Sequence, residues 1–292
     1  MVTRTRRSGS VIGRRVREGL PLVPFLAFVV IFLVIPTVTV VVSSFYVDGV
    51  FSTSRIGALF TGTALTALRD SVVLSGTTAV LGAVLGAVLS WVVVTSPPTS
   101  LFRRFVLSVC SVLAQFGGVM LAFAFLATIG GAGVVTVFAQ DHLGTDLGGG
   151  SWLYGLRGLI LVYTYFQIPL MVIVFTPALE GLREQWREAA VSLGATTWQY
   201  WRQVAEPLLT PAFLGATLLL FANAFAAYAT AAALVSQGSP ILPLLIRAAL
   251  TSEVVLGQSG FAYALALEMI VVVAVVMVAY SALVRRTSRW LR

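Results

Sequence analysis

The 292-residue chain contains no lysine; all nineteen of its basic residues are arginine. That absence excludes two large function classes. A P-loop needs its lysine on the β- and γ-phosphates, and Schiff-base chemistry needs a lysine amine. The chain by itself is therefore neither a P-loop ATPase nor a pyridoxal-phosphate enzyme. Cysteine is nearly as scarce. Cys110 is the only one and lies in an apolar run, which excludes an internal disulfide or thiolate cluster and reads as packing. His142 is the only histidine, so no metal site of the His/Cys type is expected. No serine stands in a hydrolase context, and no catalytic residue or bound cofactor is assigned to the chain. Charge of either sign is sparse, at 10% of residues against roughly 25% in a soluble globule.

What fills the chain instead is apolar. Hydrophobic residues make up 58% of it, and the mean hydropathy is +0.96. At about 20 to 25 residues per crossing, six to eight membrane helices is the ceiling. Six segments are long and apolar enough: 20–45, 71–94, 104–128, 156–178, 208–235 and 261–284. Lipid-facing backbone must satisfy its own hydrogen bonds, so these are expected as helices despite their Val and Ile content. No alternating segments of about ten residues point to a β-barrel. The expected fold class is all-α, with six transmembrane helices.

Arginine placement sets the expected orientation. The segment 1–19 holds Arg4, Arg6, Arg7, Arg14, Arg15 and Arg17, and the other segments on the same side hold Arg103, Arg104, Arg183, Arg187, Arg202, Arg285, Arg286, Arg289 and Arg292. The opposite side receives only Arg55, Arg69, Arg157 and Arg247. Both termini are therefore expected in the cytoplasm, with 1–19 a basic segment, 20–285 the membrane domain and 286–292 a short tail. The run 20–45 is too long for a signal-peptide core of about 7 to 15 residues, so an uncleaved first helix is favoured. The net charge of +8 is thus a topology signal. No basic stripe with interleaved aromatics suggests nucleic acid.

Two outer segments stand out. Residues 129–153 are rich in glycine, with a short helix expected around Val134 to Ala139. Residues 236–258, with Pro240 and Pro243, read as a re-entrant or interfacial turn. Within the second span, Gly82 and Gly86 join Ala79, Ala83 and Ala87 on one small face, which allows close helix packing in lipid.

Between the fourth and fifth spans lies a soluble stretch. Leu182, Trp186, Ala189 or Ala190, and Leu193 recur at helical spacing, opposite Glu180, Glu184, Arg183 and Arg187. Gly194 accepts a positive φ and permits a turn. Thr196 or Thr197 is placed to cap a second short helix ahead of Trp198 and Trp201. Pro207 and Pro211 mark entry into the fifth span.

The stretch EAAVSLGATTWQYWRQVAEP, residues 188–207, resembles the cytoplasmic signature of the membrane subunits of type I ATP-binding-cassette (ABC) importers. Glu188, Ala189, Ala190, Gly194, Val204 and Pro207 fall in register, while Glu206 replaces the family's usual Leu. The resemblance implies a permease subunit in a bacterial inner membrane, whose segment 180–207 couples it to a separate ATPase. Glu188 and Gly194 would anchor the docking helix, Ala189 and Ala190 would set its closeness, and Trp198 would fill a groove on the partner. The implied partners are an ABC ATPase dimer that binds ATP and Mg, a second permease chain of a related kind, and an extracytoplasmic solute-binding protein contacting 129–153. Phe221 to Leu234, with ILPLLI at 241–246, is similar to the subfamily importing polyamines, iron, thiamine and phosphonates.

Glu268 lies inside the sixth apolar segment with no basic residue in that segment. An ionisable group there costs roughly 2.5–3.5 kcal/mol on insertion scales, so it should face protein or a wet cavity. Gln115, Tyr163, Tyr165, Gln167, Asn223 and Tyr228 add polar groups within apolar segments. Of these, Gln115, Tyr165, Asn223 and Tyr228 are grouped with Glu268 as candidate lining of a solute path. A carboxylate with tyrosines suits a polyamine or other cation. The alternative class is an ion-coupled secondary transporter, which needs acidic and basic relays or paired broken helices. An intramembrane enzyme lacks its constellation.

Overall fold

The structure, a computed structural model, describes residues 22–47, 50–52, 54–60, 62–144, 152–235, 241–251 and 259–288. The basic segment 1–19, Gly148 to Gly150, most of 236–258 and the last four residues lie outside that set.

Helix α1 spans Val23–Ser44. A hairpin follows, β1 (Tyr46–Val47) antiparallel to β2 (Val50–Phe51), and is the one strand pairing among the described residues. Helices α2 (Ser54–Leu59) and α3 (Gly62–Thr95) come next, then α4 (Leu101–Gln115), α5 (Gly118–Ile129) and α6 (Val134–Leu143). The fourth span is α7 (Leu156–Glu180), followed by α8 (Glu184–Ser192), α9 (Thr197–Tyr200) and α10 (Glu206–Ala226). Helices α11 (Ala229–Leu234), α12 (Leu242–Thr251) and α13 (Ser259–Ser288) complete the chain. Six stretches are long and apolar enough to cross a bilayer, the number expected, but the third runs Gly118–Leu143 rather than 104–128.

Three segments differ from their reading as single elements. The run 104–128 is two helices, because Gly117 is extended (φ −130°) and Gly118 is left-handed (φ +67°) between α4 and α5. Lacking a Cβ, Gly118 adopts that conformation at little cost. The run 208–235 breaks at Ala227 and Tyr228, where the Tyr163 hydroxyl donates to the Ala227 carbonyl at 2.6 Å. In place of a turn, Leu242–Thr251 is a ten-residue helix whose first N–H donates to Ser71 Oγ at 2.8 Å.

Proline explains two further irregularities. In α1 the Ile35 N–H reaches back five residues to the Val30 carbonyl, just ahead of Pro36. Between α9 and α10 the Glu206 N–H does the same to Trp201, just ahead of Pro207. Proline has no N–H to continue the ladder, and its ring crowds the carbonyl four residues back. One wide turn absorbs both problems and keeps the helix running.

Helix α7 forms the centre, against α3, α4 and α10. Gly82 and Gly86 carry the tightest contact. A Cβ on Gly82 would stand 2.5 Å from the Gln167 Cβ, and one on Gly86 would stand 2.5 Å from Met171 Cβ and 2.8 Å from the Ile168 carbonyl. The small face of α3 therefore meets α7 within the chain. Gln167, wholly buried, donates from Nε2 to the Leu220 carbonyl at 2.9 Å and ties α7 to α10. At the other end of α7, Glu180 pairs with Arg103 at the start of α4.

Candidate functional site

The stretch after α7 is exposed almost throughout. Arg183 is extended and begins α8, so the amphipathic helix starts at Glu184. Glu180 belongs to the membrane helix and to Arg103, not to the polar face of α8. On α8, Glu184 pairs with Arg187, and the Arg183 guanidinium sits 5.9 Å from the Trp186 ring centroid. The Glu184 hydrogen bond and charge raise the Arg187 pKa above its ordinary value. Glu188 and Ala189 are exposed and Ala190 half-buried. Among the described residues the Glu188 carboxylate has no hydrogen-bond or ion-pair partner, and its carbonyl accepts from Ser192 Oγ at 2.9 Å.

Gly194 then turns the chain with φ +80°. An added Cβ there would meet nothing within 4 Å, so the backbone angle alone calls for glycine. Thr196 caps α9 in a reciprocal box: the Gln199 N–H donates to Thr196 Oγ1, and Gln199 Oε1 accepts from the Thr196 N–H at 2.7 Å. Trp198, 71% exposed, projects from this turn. From Thr197 the chain stays helical through Pro207 to Ala226. The second short helix is thus a continuation of the fifth span beyond its apolar part, rather than a separate element.

The polar residues in the apolar segments divide. Asn223 and Tyr228 line a cavity of about 280 Å³ with Gly117, Gly118, Phe166 and Thr230. Both helix breaks open on it, and a Cβ on Gly118 would touch the Ala229 Cβ at 3.6 Å. Broken helices leave backbone N–H and carbonyl groups free to meet a ligand. Tyr163, at this level, lies about 26 Å along α7 from Glu180, near the Leu156 end of that helix. Gln115 ends α4 beside the cavity without lining it. Tyr165 packs edge-on against Phe125 at 5.5 Å. Glu268, on α13, is 9% exposed, with Oε2 lacking a partner among the described residues, and it does not line this cavity. A charge that sequence reasoning did not connect to the path is Arg247, 5.9 Å from the Tyr228 ring centroid.

No family model matches the chain. Over 196 residues it is 24% identical to a putative ferric transport system permease of Haemophilus influenzae, covering 67% of this chain and 30% of that protein. A probable sulfate transport system permease of Anthoceros angustus is 31% identical over 111 residues, 37% of this chain and 38% of its own length. The thiamine transport system permease of Escherichia coli is 28% identical over 131 residues, 44% of this chain and 23% of that one. The matches thus span less than two fifths of each of these relatives. Among solved structures, a bacterial alginate ABC transporter in complex with a pentasaccharide-bound periplasmic protein superposes with a TM-score of 0.74 at 17% identity, over 96% of this chain and 98% of that one. The protein is a multi-pass membrane protein with the fold of type I ABC importer permeases. Over part of its length its sequence is similar to ferric, sulfate and thiamine transport permeases.

Proposed function

We propose that the chain is the permease subunit of an ATP-driven importer, forming half of a solute pathway and docking on separate ATPase subunits through residues 184–199. The observation that carries this reading is the exposed α8–Gly194–α9 lever, set between two membrane helices on the arginine-rich side of the chain. Its apolar groups are bare: Trp186, Val191, Leu193 and Trp198 are all exposed. Glu188 offers an unpaired carboxylate for a charge-assisted contact, worth about 1.5–3 kcal/mol. The continuous helix from Thr197 to Ala226 would carry motion of the lever directly to Asn223 and the cavity at the helix breaks. In this reading both termini face the cytoplasm, ATP and Mg sit on the partner ATPases, and a binding protein delivers solute near the outer cavity. A related second permease completes the pathway.

Glu268, buried with no basic residue in the apolar stretch 261–284, favours a cationic solute such as a polyamine. Arg247 over Tyr228 at the outer cavity favours an anion instead, the class carried by the sulfate relatives. One set of assays tests both levels. The complex is reconstituted with its ATPase and binding protein, and solute uptake and ATPase stimulation are measured. Gly194→Asp should abolish stimulation, because its φ and position disturb the lever; wild-type stimulation in that variant would overturn the docking role. Loss of uptake in Glu268→Gln with Arg247→Gln unaffected marks a cation, and the reverse marks an anion.

A further inference from the structure

Threonines in the long helices of this chain return their hydroxyl to the carbonyl four residues back, as Thr164 and Thr210 do at 2.7 Å and Thr217 at 2.8 Å. Thr230 does not. The carbonyl at that spacing belongs to Ala226, the last residue of α10, and the break at Ala227 and Tyr228 separates the two. Thr230 is only 2% exposed and lines the cavity at the helix breaks, and its hydroxyl has no hydrogen-bond partner among the described residues. Leaving such a group unpaired costs about 1–3 kcal/mol, which a ligand in the cavity would recover. The neighbouring groups are of the same kind. The side chains of Asn223 and Tyr228 also make no hydrogen bond among the described residues. Gly117 and Gly118 bring the start of α5 to the wall, and no side chain caps that twelve-residue helix, so the N–H groups of its first turn are open. The carbonyls around the breaks are already committed. That of Gln115 accepts from the Gly117 N–H, that of Ala227 from the Tyr163 hydroxyl, and that of Tyr228 from the Ala232 N–H. Donors are thus free where acceptors are taken. No carboxylate lines the cavity among the described residues, and the charge beside it is positive: Arg247, 5.9 Å from the Tyr228 ring centroid.

We propose that this cavity binds a small oxyanion. The Thr230 and Tyr228 hydroxyls, the Asn223 amide and the first N–H groups of α5 donate to its oxygens, and Arg247 supplies positive charge at the wall. A helix N-terminus adds to the same sign of field. At about 280 Å³ the cavity falls below the roughly 300–1,000 Å³ of pockets for drug-sized ligands, so its occupant is small. A cation would meet donors instead of acceptors. A neutral solute could use the hydrogen bonds but would gain nothing from Arg247 or from the helix dipole. That the bound oxyanion is the transported solute rests on the importer reading; the binding site itself does not.

The test is equilibrium binding of radiolabelled inorganic sulfate and inorganic phosphate to the full-length chain in phosphatidylcholine nanodiscs. The wild type should bind one equivalent of at least one of these ions, displaced by the unlabelled ion and not by spermidine or glycerol at the same concentration. Thr230→Val keeps the side-chain shape and should weaken binding at least tenfold, the effect of one hydrogen bond to a charged group. Arg247→Gln should weaken it about fivefold, as loss of a nearby but partly solvated charge. Thr217→Val, the same change on α10 away from the cavity, should bind as the wild type. The Thr230 hydroxyl holds no partner in the protein, so an unchanged thermal midpoint would show that Thr230→Val remains folded. No saturable binding of either ion would overturn the proposal. So would wild-type affinity in Thr230→Val, or displacement of the ion by glycerol. The assay contains no ATPase, and stimulation is read separately on the assembled complex. Failed oxyanion binding therefore leaves the docking role standing, and failed stimulation leaves the binding site standing.

Discussion

Helices α1 and α7 are both membrane-length, yet they are built to opposite rules. In its most apolar window α1 has mean hydropathy 3.0 and no buried residue, whereas α7 has mean hydropathy 2.0 and 56% of the window buried. The most hydrophobic span is the least packed. Lipid tails are as apolar as Leu, so hydrophobicity does not draw one membrane helix to another. Helix α7 is held instead by close approach at Gly82 and Gly86 and by the hydrogen bonds of Gln167 and Tyr163. In α1 it is the C-terminal part, Ile35–Ser44, that packs most on another long helix, α13. Phe25, Phe28, Phe32 and Leu33 remain exposed.

That contrast can be broken at graded cost. Gly86→Leu should be the most damaging, destabilising by about 3 kcal/mol because the new side chain meets the Ile168 carbonyl and Met171 rather than a flexible tip. Thermal unfolding in one detergent should show a large drop, and a wild-type midpoint would mean that α3 and α7 are not so close. Gln167→Leu should cost about 1 kcal/mol, since it removes one interhelical hydrogen bond but also an unpartnered buried oxygen. A fall as large as that of Gly86→Leu would show that the polar tie, not the glycine face, dominates. Phe32→Ala should change the midpoint least, within about 0.5 kcal/mol, because its side chain is 67% exposed. Marked destabilisation of an assembled complex by Phe32→Ala would instead show that another chain covers this face of α1.

The same contrast explains what could be read before any coordinates. The six apolar runs, the small face at Gly82 and Gly86, the turn at Gly194 and the capping threonine all follow from local chemistry. Each depends on residues close in sequence. The interruption after Gln115 had a local signal, the Gly117–Gly118 pair, that was outweighed by the apolar run around it. The break at Ala227 had none: alanines surround it, and Tyr163, 64 positions away, supplies the hydroxyl that accommodates it. The candidate path was therefore legible at Asn223 and Tyr228 as polar groups, but not as two residues sharing one cavity. Glu268 was legible as a buried acid, and its separation from that cavity was not.

Composition and periodicity alone fix that this chain crosses a membrane as helices, because lipid leaves the backbone no other partner for its hydrogen bonds. They also fix where an exposed lever with a glycine turn interrupts the spans. Only the packed structure decides which helices touch, that two of them break at one level to open a cavity, and that Thr230 shares that cavity with the start of α5. Those outcomes rest on contacts between residues far apart in the chain, and no local pattern encodes the depth at which two helices meet.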